Sequence, residues 1–238
     1  MAEIDFKERD KKYNLWARKY PAYICLSFLV VIFLFYIGNT RNEALDNVKY
    51  IFNTLLSLGT IAPALFFFYT FLIRDIAKMF PEDFLYWEFY KPTTGMLFEQ
   101  NRSFSENNKK KIKEKINSNY GINLDEIPSG ANKKNKKYCQ EVNEVVYRIR
   151  ENTRHSHILF EFNCIYGFYR NLSGGLLLDL IIIIVLLGVN RLFGLNMSVF
   201  LGFMGLLLIF LIIICLCFTW KNGIRYAKRL YIVYLDTN

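Results

Sequence analysis

Polar and charged segments divide the 238-residue chain around four apolar stretches. The stretches occupy residues 20–40, 50–73, 171–190 and 197–220. A helix needs about 20 mainly apolar residues to cross a hydrocarbon core of roughly 30 Å, and each stretch has that length. Because backbone amides in lipid must be satisfied within their own segment, the pattern predicts an all-α membrane protein with four transmembrane helices.

The basic residues beside these stretches predict the orientation of the chain. Six lysines and arginines precede the first stretch, seventeen lie between the second and third, and four follow the last, whereas the two short loops contain two and one. Because positive charge is retained on the cytoplasmic side, we expect residues 1–19, a mainly helical insert at 74–170 and a tail at 221–238 in the cytoplasm. The first stretch is long for the apolar core of a signal peptide and no small-residue cleavage site follows it, which predicts a retained span.

Two helices are predicted within the insert. Ser105 is placed to cap the start of one helix, which Gly121 then ends. From Lys136 to Tyr166 the chain contains neither proline nor glycine, and its apolar residues keep a period near 3.6. That segment predicts one uninterrupted helix leading to the third span.

A basic cluster lies on the second of these predicted helices. It consists of Arg148, Arg150, Arg154, His155 and His157. Guanidinium groups bind phosphate and imidazoles transfer protons, so the cluster is a candidate site for a nucleotide ligand or for RNA. The alternative is a solvated basic face beside the anionic lipids of the inner leaflet, to which the net charge of +9 is also suited.

The spacing of Arg150 from His155 and from His157 resembles the R-x4-H and R-x6-H signatures of HEPN ribonucleases. The resemblance implies metal-independent RNA cleavage, in which Arg150 stabilises phosphate charge and one histidine moves a proton. Members of that family usually have Asn, His or Asp after the arginine, whereas Glu151 stands at this position here. The sequence therefore does not decide whether the protein is an enzyme.

Polar residues also occur inside the apolar stretches. Asp179 is the only charged residue of the third stretch, and a carboxylate within the bilayer is costly enough to be treated as functional by default. Asn53, Ser57 and Thr60 share one face of the second stretch and are the candidate partners of Asp179. Two interpretations follow: a path for ions or protons, or a hydrogen bond between helices or between subunits.

The sequence predicts no metal, cofactor or disulfide. The five cysteines form no C-x-x-C pair, and His157, Glu161 and Cys164 supply three ligands where a structural zinc site needs four. The sequence contains no phosphate-binding loop, dinucleotide-binding glycine motif, nucleophile elbow or H-E-x-x-H motif. The common enzymes that depend on those motifs are therefore not expected.

A motif beside the third span resembles one in uncharacterised bacterial four-span membrane proteins. Its form there is P-T-T followed by E-x-N-x-x-Y-G-F-x-R-N. It corresponds here to Pro92, Thr93 and Thr94 and then to Glu161, Asn163, Tyr166, Gly167, Phe168, Arg170 and Asn171. The layout is also similar to membrane components of bacterial antiviral systems, such as the membrane accessory proteins of type VI CRISPR loci. The motif implies a bacterial membrane protein without indicating its activity, and the layout implies a role in antiviral defence at the inner membrane.

Three functions are consistent with these features. A homo-oligomeric effector or regulator would receive a ligand or protein partner at the insert and then perturb the bilayer or form a pore. A membrane-anchored ribonuclease would use Arg150 with His155 or His157. A small channel or transporter would use Asp179, although the sequence contains no internal repeat or pair of broken helices.

Overall fold

A computed structural model describes residues 6–39, 50, 61–86, 91–98, 104–126, 136–192 and 197–237. Across these residues the protein is all-helical, with 91% of residues in helices and no strands. Three helices are long and apolar enough to cross a membrane: Lys7–Ile32, His157–Leu192 and Ser198–Asp236. They coincide with the first, third and fourth predicted spans. Residues 51–60 of the second predicted span lie outside the described residues.

The helices are numbered along the chain as the structure describes them. They are α1 (Phe6–Tyr13), α2 (Tyr20–Asn39), α3 (Ile61–Ala77), α4 (Asp83–Leu85), α5 (Pro92–Gly95), α6 (Glu106–Tyr120), α7 (Lys136–Asn152), α8 (His157–Leu192) and α9 (Ser198–Asp236). π-Helical turns follow α1 and α3, at Asn14–Lys19 and Lys78–Glu82. Pro81, which has no N–H to donate, lies within the second of these turns.

The ends of α6 are fixed by local sequence. The Ser105 hydroxyl accepts a hydrogen bond from the Asn108 N–H at 3.4 Å, and Gly121 ends the helix with φ at 67°. Glycine adopts this left-handed conformation at little cost because it has no Cβ. Both predicted ends of this helix are confirmed.

Two helices, α7 and α8, replace the single helix that the sequence predicts across this region. Helix α7 ends before Thr153, whose Oγ1 donates to the Ile149 carbonyl at 2.8 Å. Ser156 then caps α8 by accepting a hydrogen bond from the Leu159 N–H at 3.3 Å. The prediction of one continuous helix was therefore wrong, because hydroxyl side chains offer the backbone alternative hydrogen bonds without any proline or glycine.

The chain folds as two compact units. The insert unit comprises Met1–Lys11, Glu82–Gly167 and Phe218–Asn238, and the apolar unit comprises Lys12–Pro81 and Phe168–Cys217. Helices α8 and α9 each contribute residues to both units. The insert unit thus includes the beginning of the chain and the end of α9, which the sequence suggested as separate cytoplasmic segments.

The core of the insert unit is formed by apolar faces of α6, α7 and α9. On α7 the buried residues are Val142, Val145, Val146 and Ile149, which recur with the period of a helix. On α9 the large side chain of Tyr231 is fully buried among them. Burying a side chain of this size stabilises a fold by about 1.5–3 kcal/mol, so these contacts hold α7 against the end of α9.

Arg9 joins α1 to the turn between α7 and α8. Its guanidinium donates to the carbonyl oxygens of Arg154 at 2.6 Å and Ser156 at 3.1 Å, and it lies 4.7 Å from the centre of the Phe160 ring. The break between two helices leaves carbonyl groups without intrahelical donors, and Arg9 supplies donors to two of them. Arg9 lies in residues 1–19, whose charges were interpreted from the sequence only as a signal of membrane topology.

Candidate functional site

Asp179 lies in the apolar unit and is fully buried. Its Oδ1 accepts a hydrogen bond from the Tyr69 hydroxyl at 2.5 Å. Its Oδ2 is also buried and has no hydrogen-bond partner among the described residues. The pair therefore links α3 to α8 and leaves one carboxyl oxygen for a proton, a cation or a group from another molecule.

Small residues bring neighbouring helices of the apolar unit close together beside this pair. A Cβ added to Gly174 would lie 2.6 Å from the Ala77 Cβ, and one added to Gly175 would lie 2.5 Å from the Cys25 Sγ. Neither distance leaves room for a side chain, so these glycines set the separation of α8 from α3 and α2. Asp179 follows Gly175 by about one helical turn and therefore points toward the same neighbours.

The partner of the carboxylate differs from the residues that the sequence suggested. Those candidates lie outside the described residues: Asn53, Ser57 and Thr60. Tyr69 was overlooked because it follows three phenylalanines and reads as part of an aromatic, lipid-facing run. The sequence does contain a pattern that indicates burial of Tyr69. Tyr69, Ile73 and Ala77 recur every fourth residue, and all three are buried on α3.

A second group of buried polar residues surrounds the P-T-T segment in the insert unit. Helix α5, which contains this segment, is buried at all four of its residues. Arg150 Nη2 donates to Thr93 Oγ1 at 2.8 Å, and the Tyr231 hydroxyl donates to the Thr93 carbonyl at 2.5 Å. The Thr94 hydroxyl donates to Asn143 Oδ1 at 2.8 Å. These bonds join α5 to α7 and α9.

Tyr166, from the second part of the motif, belongs to the same core. Its hydroxyl donates to Glu82 Oε1 at 2.9 Å, and its ring is parallel to that of Tyr226, with 6.2 Å between their centres. Gly223 makes room for these rings, because a Cβ there would lie 3.0 Å from the Tyr166 ring and would collide with the Tyr86 hydroxyl. Burial, and to a lesser degree Glu82, raise the pKa of Tyr86, which keeps its hydroxyl protonated. The insert unit thus contains the P-T-T segment and the part of the second motif up to Gly167, whereas Phe168, Arg170 and Asn171 belong to the apolar unit.

Arg150 makes its contacts with α5 and α9. Besides donating to Thr93, its guanidinium lies 5.9 Å from the centre of the Tyr226 ring, and its buried Nε has no hydrogen-bond partner in the part of the chain that the structure describes. His155 instead lines a surface cleft, and His157 Nδ1 lies 3.7 Å from a carboxylate oxygen of α8. Arg150 therefore contacts α5 and α9, whereas His157 contacts Glu161 within α8.

The other arginines of the basic cluster also have separate neighbours. Arg148 lies 5.7 Å from the centre of the Tyr120 ring. Arg154 lies 3.6 Å from a carboxylate oxygen of Glu151, and both side chains are about half exposed. Arg148, Arg154 and His157 thus each contact a different side chain.

The remaining motif residues all lie on α8. Asn171 is buried in the apolar unit, where its Nδ2 donates to the Ala17 carbonyl at 2.5 Å. Glu161 is exposed and is the carboxylate beside His157. The other motif residues are partly or fully buried: Asn163, Gly167, Phe168 and Arg170.

The described part of the chain contains no group of three or more His, Cys, Asp or Glu residues placed to hold a metal ion. Within the same residues, four cysteines form no disulfide: Cys25, Cys164, Cys215 and Cys217. Asp179 and Tyr69 are therefore the residues of the apolar unit with the clearest chemistry, since they combine a buried acid with a hydrogen-bond donor.

Comparisons of the chain with protein-family models, with curated proteins and with solved structures found no significant match. The function is accordingly inferred from the geometry of the residues described above.

Proposed function

We propose that this protein is a multi-pass effector or regulator of a bacterial inner membrane, which alters membrane permeability through an intramembrane acid after its cytoplasmic insert receives a signal. The observation that supports this proposal most directly is the buried hydrogen bond between Tyr69 and Asp179, whose second oxygen has no partner among the described residues. The three helices that are long and apolar enough to cross a membrane support a lipid setting for this pair.

The environment of Asp179 favours a neutral acid or a bound cation over a bare carboxylate. An ionised carboxylate near the centre of a bilayer costs about 2.5–3.5 kcal/mol or more. Its partner Tyr69 belongs to a buried hydrophobic cluster that also contains Ile73, Leu176 and Ile183. Because the Tyr69 hydroxyl donates to Oδ1, the proton or cation would be held at Oδ2. Exchange of that proton or cation would give a route for charge through the apolar unit.

The distribution of charge supports a cytoplasmic insert as the receiving part of the protein. Seventeen lysines and arginines lie in residues 74–170, which the positive-inside rule assigns to the cytoplasm together with both ends of the chain. The layout of two spans, a basic insert and two spans is similar to membrane components of bacterial antiviral systems, and this similarity supports a role in antiviral defence. Both parts of the P-T-T and E-x-N-x-x-Y-G-F-x-R-N motif contribute to the core of the insert unit through Thr93 and Tyr166.

Proton flux across vesicles tests the proposed role of the acid. The purified protein is reconstituted in vesicles of anionic phospholipid that contain a pH-sensitive dye, and an imposed pH gradient is followed over time. Even without the signal, the basal rate of the wild-type protein should exceed the rate of empty vesicles. Asp179→Asn should reduce the rate to that of empty vesicles because an amide cannot release a proton, and Tyr69→Phe should reduce it partially.

Matched controls separate this chemistry from general damage to the apolar unit. Asp75→Asn makes the same change at a carboxylate that is 43% exposed beside Arg74, and Tyr23→Phe removes a hydroxyl from a ring that is 50% exposed. Both controls should dissipate the gradient at the wild-type rate. Equal rates for wild-type protein and Asp179→Asn would contradict permeation through Asp179.

A further inference from the structure

A polar cleft of about 410 Å³ opens on the insert unit. Its lining residues come from α6, α7, the turn after α7 and the end of α9: Lys115, Asn119, Glu151, Asn152, His155 and Tyr234. The volume falls within the range of about 300–1,000 Å³ that is typical of small-molecule sites. The cleft is therefore large enough for a small organic ligand.

Three helices end at this cleft. Helix α6 ends one residue after Asn119, α7 ends at Asn152, and α9 ends one residue before Thr237, which also lines the cleft. The C-terminus of a helix has a partial charge of roughly −0.5, because its last carbonyl groups point out of the helix. The start of α8 lies nearby and opposes this charge, but its first turn is already capped by Ser156. The backbone thus makes the cleft favourable for cations.

The side-chain amine of Lys115 already lies at one of these helix ends. Lys115 Nζ donates to the carbonyl oxygens of Leu235, at 3.3 Å, and of Thr237, and it lies 5.1 Å from the centre of the Tyr234 ring. Helix-end carbonyls and the face of an aromatic ring are two groups that bind ammonium ions. Lys115 therefore demonstrates, within the protein itself, how this end of the cleft accommodates a protonated amine.

A second anchor for positive charge lies at the end of α7. Glu151 lines the cleft, and its side chain is 48% exposed, so it is accessible to a ligand while lying 3.6 Å from Arg154. Asn119 and Asn152 also line the cleft. Their Nδ2 atoms donate to the hydroxyls of Tyr234 at 3.2 Å and Tyr120 at 2.8 Å, and their amide oxygens can accept hydrogen bonds from a ligand. A ligand with amines at both ends would pair one amine with Glu151 and place the other at the α9 carbonyls, where it would compete with Lys115 Nζ.

We propose that this cleft binds a small organic cation with two or more protonated amines, of the polyamine class. This ligand chemistry is opposite in sign to the phosphate that the basic residues of the sequence suggest, because the three helix ends and Glu151 favour positive charge. Only the role of this ligand as the signal received by the insert unit rests on the proposed function. Binding is measured without any membrane flux, so the failure of either proposal is distinguishable from the failure of the other.

Isothermal titration calorimetry on the detergent-solubilised full chain tests the inference, with spermidine as the cation probe and inorganic phosphate as the anion probe at constant ionic strength. Spermidine should bind saturably, with one molecule per chain, and phosphate should not. Glu151→Gln should weaken spermidine binding about threefold, the magnitude expected for one exposed ion pair. The matched control Glu144→Gln changes an exposed carboxylate elsewhere on α7 and should leave the affinity unchanged.

Replacing Lys115 tests whether the cleft favours positive charge. Lys115→Met removes a like charge from the cleft and frees its carbonyl partners, so spermidine should bind about fivefold more tightly. If circular dichroism shows that this variant unfolds, the comparison of Glu151→Gln with Glu144→Gln decides the question. Saturable phosphate binding, absence of saturable spermidine binding, or equal weakening by both glutamate variants would overturn the proposal.

Discussion

Replacing Gly174 by alanine should destabilise the apolar unit, although alanine is the better helix former. The added Cβ would lie 2.6 Å from the Ala77 Cβ and 2.8 Å from both its Cα and its backbone nitrogen. Carbon atoms pack at about 3.5–4.0 Å, so α3 and α8 would have to separate by about 1 Å. Backbone atoms cannot rotate away as the end of a flexible side chain can.

The net effect follows from two opposing magnitudes. Overpacking of this kind costs about 3 kcal/mol at the upper end of the usual range. The higher helix propensity of alanine offsets about 1 kcal/mol of that cost. The remaining destabilisation of about 2 kcal/mol corresponds to a fall of about 4–8 °C in the unfolding midpoint for a chain of this length.

A thermal unfolding assay with a thiol-reactive fluorophore measures this effect in detergent. The buried thiols Cys25 and Cys215 become reactive as the apolar unit opens. The matched variant Gly188→Ala lies on the same helix, where no described residue is within 4 Å of the added Cβ, so its midpoint should equal or slightly exceed that of the wild type. Equal midpoints for Gly174→Ala and Gly188→Ala would refute the conclusion that this glycine sets the helix separation.

Three further predictions concern the insert unit. Arg9→Met should remove both donors to the turn between α7 and α8, and hydrogen exchange of the amides in that turn should become faster while exchange in α6 is unchanged. Gly121→Ala should lower the unfolding free energy by about 1 kcal/mol, measured by urea denaturation, because its φ of 67° is strained for any residue with a Cβ. Tyr166→Phe should lose the buried hydrogen bond to Glu82 and about 1–3 kcal/mol of stability in the same assay, and an unchanged midpoint would show that this bond contributes nothing.

Features that depend on neighbouring residues in the chain could be predicted from the sequence. The ends of α6 follow from the hydroxyl of Ser105 and the missing Cβ of Gly121, which act within four residues of the helix ends. The apolar stretches follow from hydropathy alone, and three of the four coincide with helices long enough to cross a membrane. Asp179 could be singled out because a carboxylate in an apolar stretch is exceptional wherever its helix packs.

The residues that complete the sites could not be predicted in this way. Tyr69 and Asp179 are 110 residues apart in the chain. Their hydrogen bond depends on the rotation of α3 and α8 about their axes and on how closely the glycines of α8 let the helices approach. In the sequence Arg150 cannot be distinguished from Arg148 and Arg154. In the folded protein its guanidinium donates to Thr93. Such choices depend on packing rather than on local propensity.

The sequence by itself determined where helices of the membrane-spanning type occur, how α6 begins and ends, and which acid is costly to bury. Those properties follow from hydropathy and from hydrogen bonds between near neighbours in the chain. Only the tertiary structure decided that Tyr69 is the partner of Asp179, that Arg9 holds the turn between α7 and α8, and that three helix ends meet in one cleft. Each of these depends on contacts between segments that are distant in the chain. The free energies of such contacts cannot be inferred from a local sequence pattern.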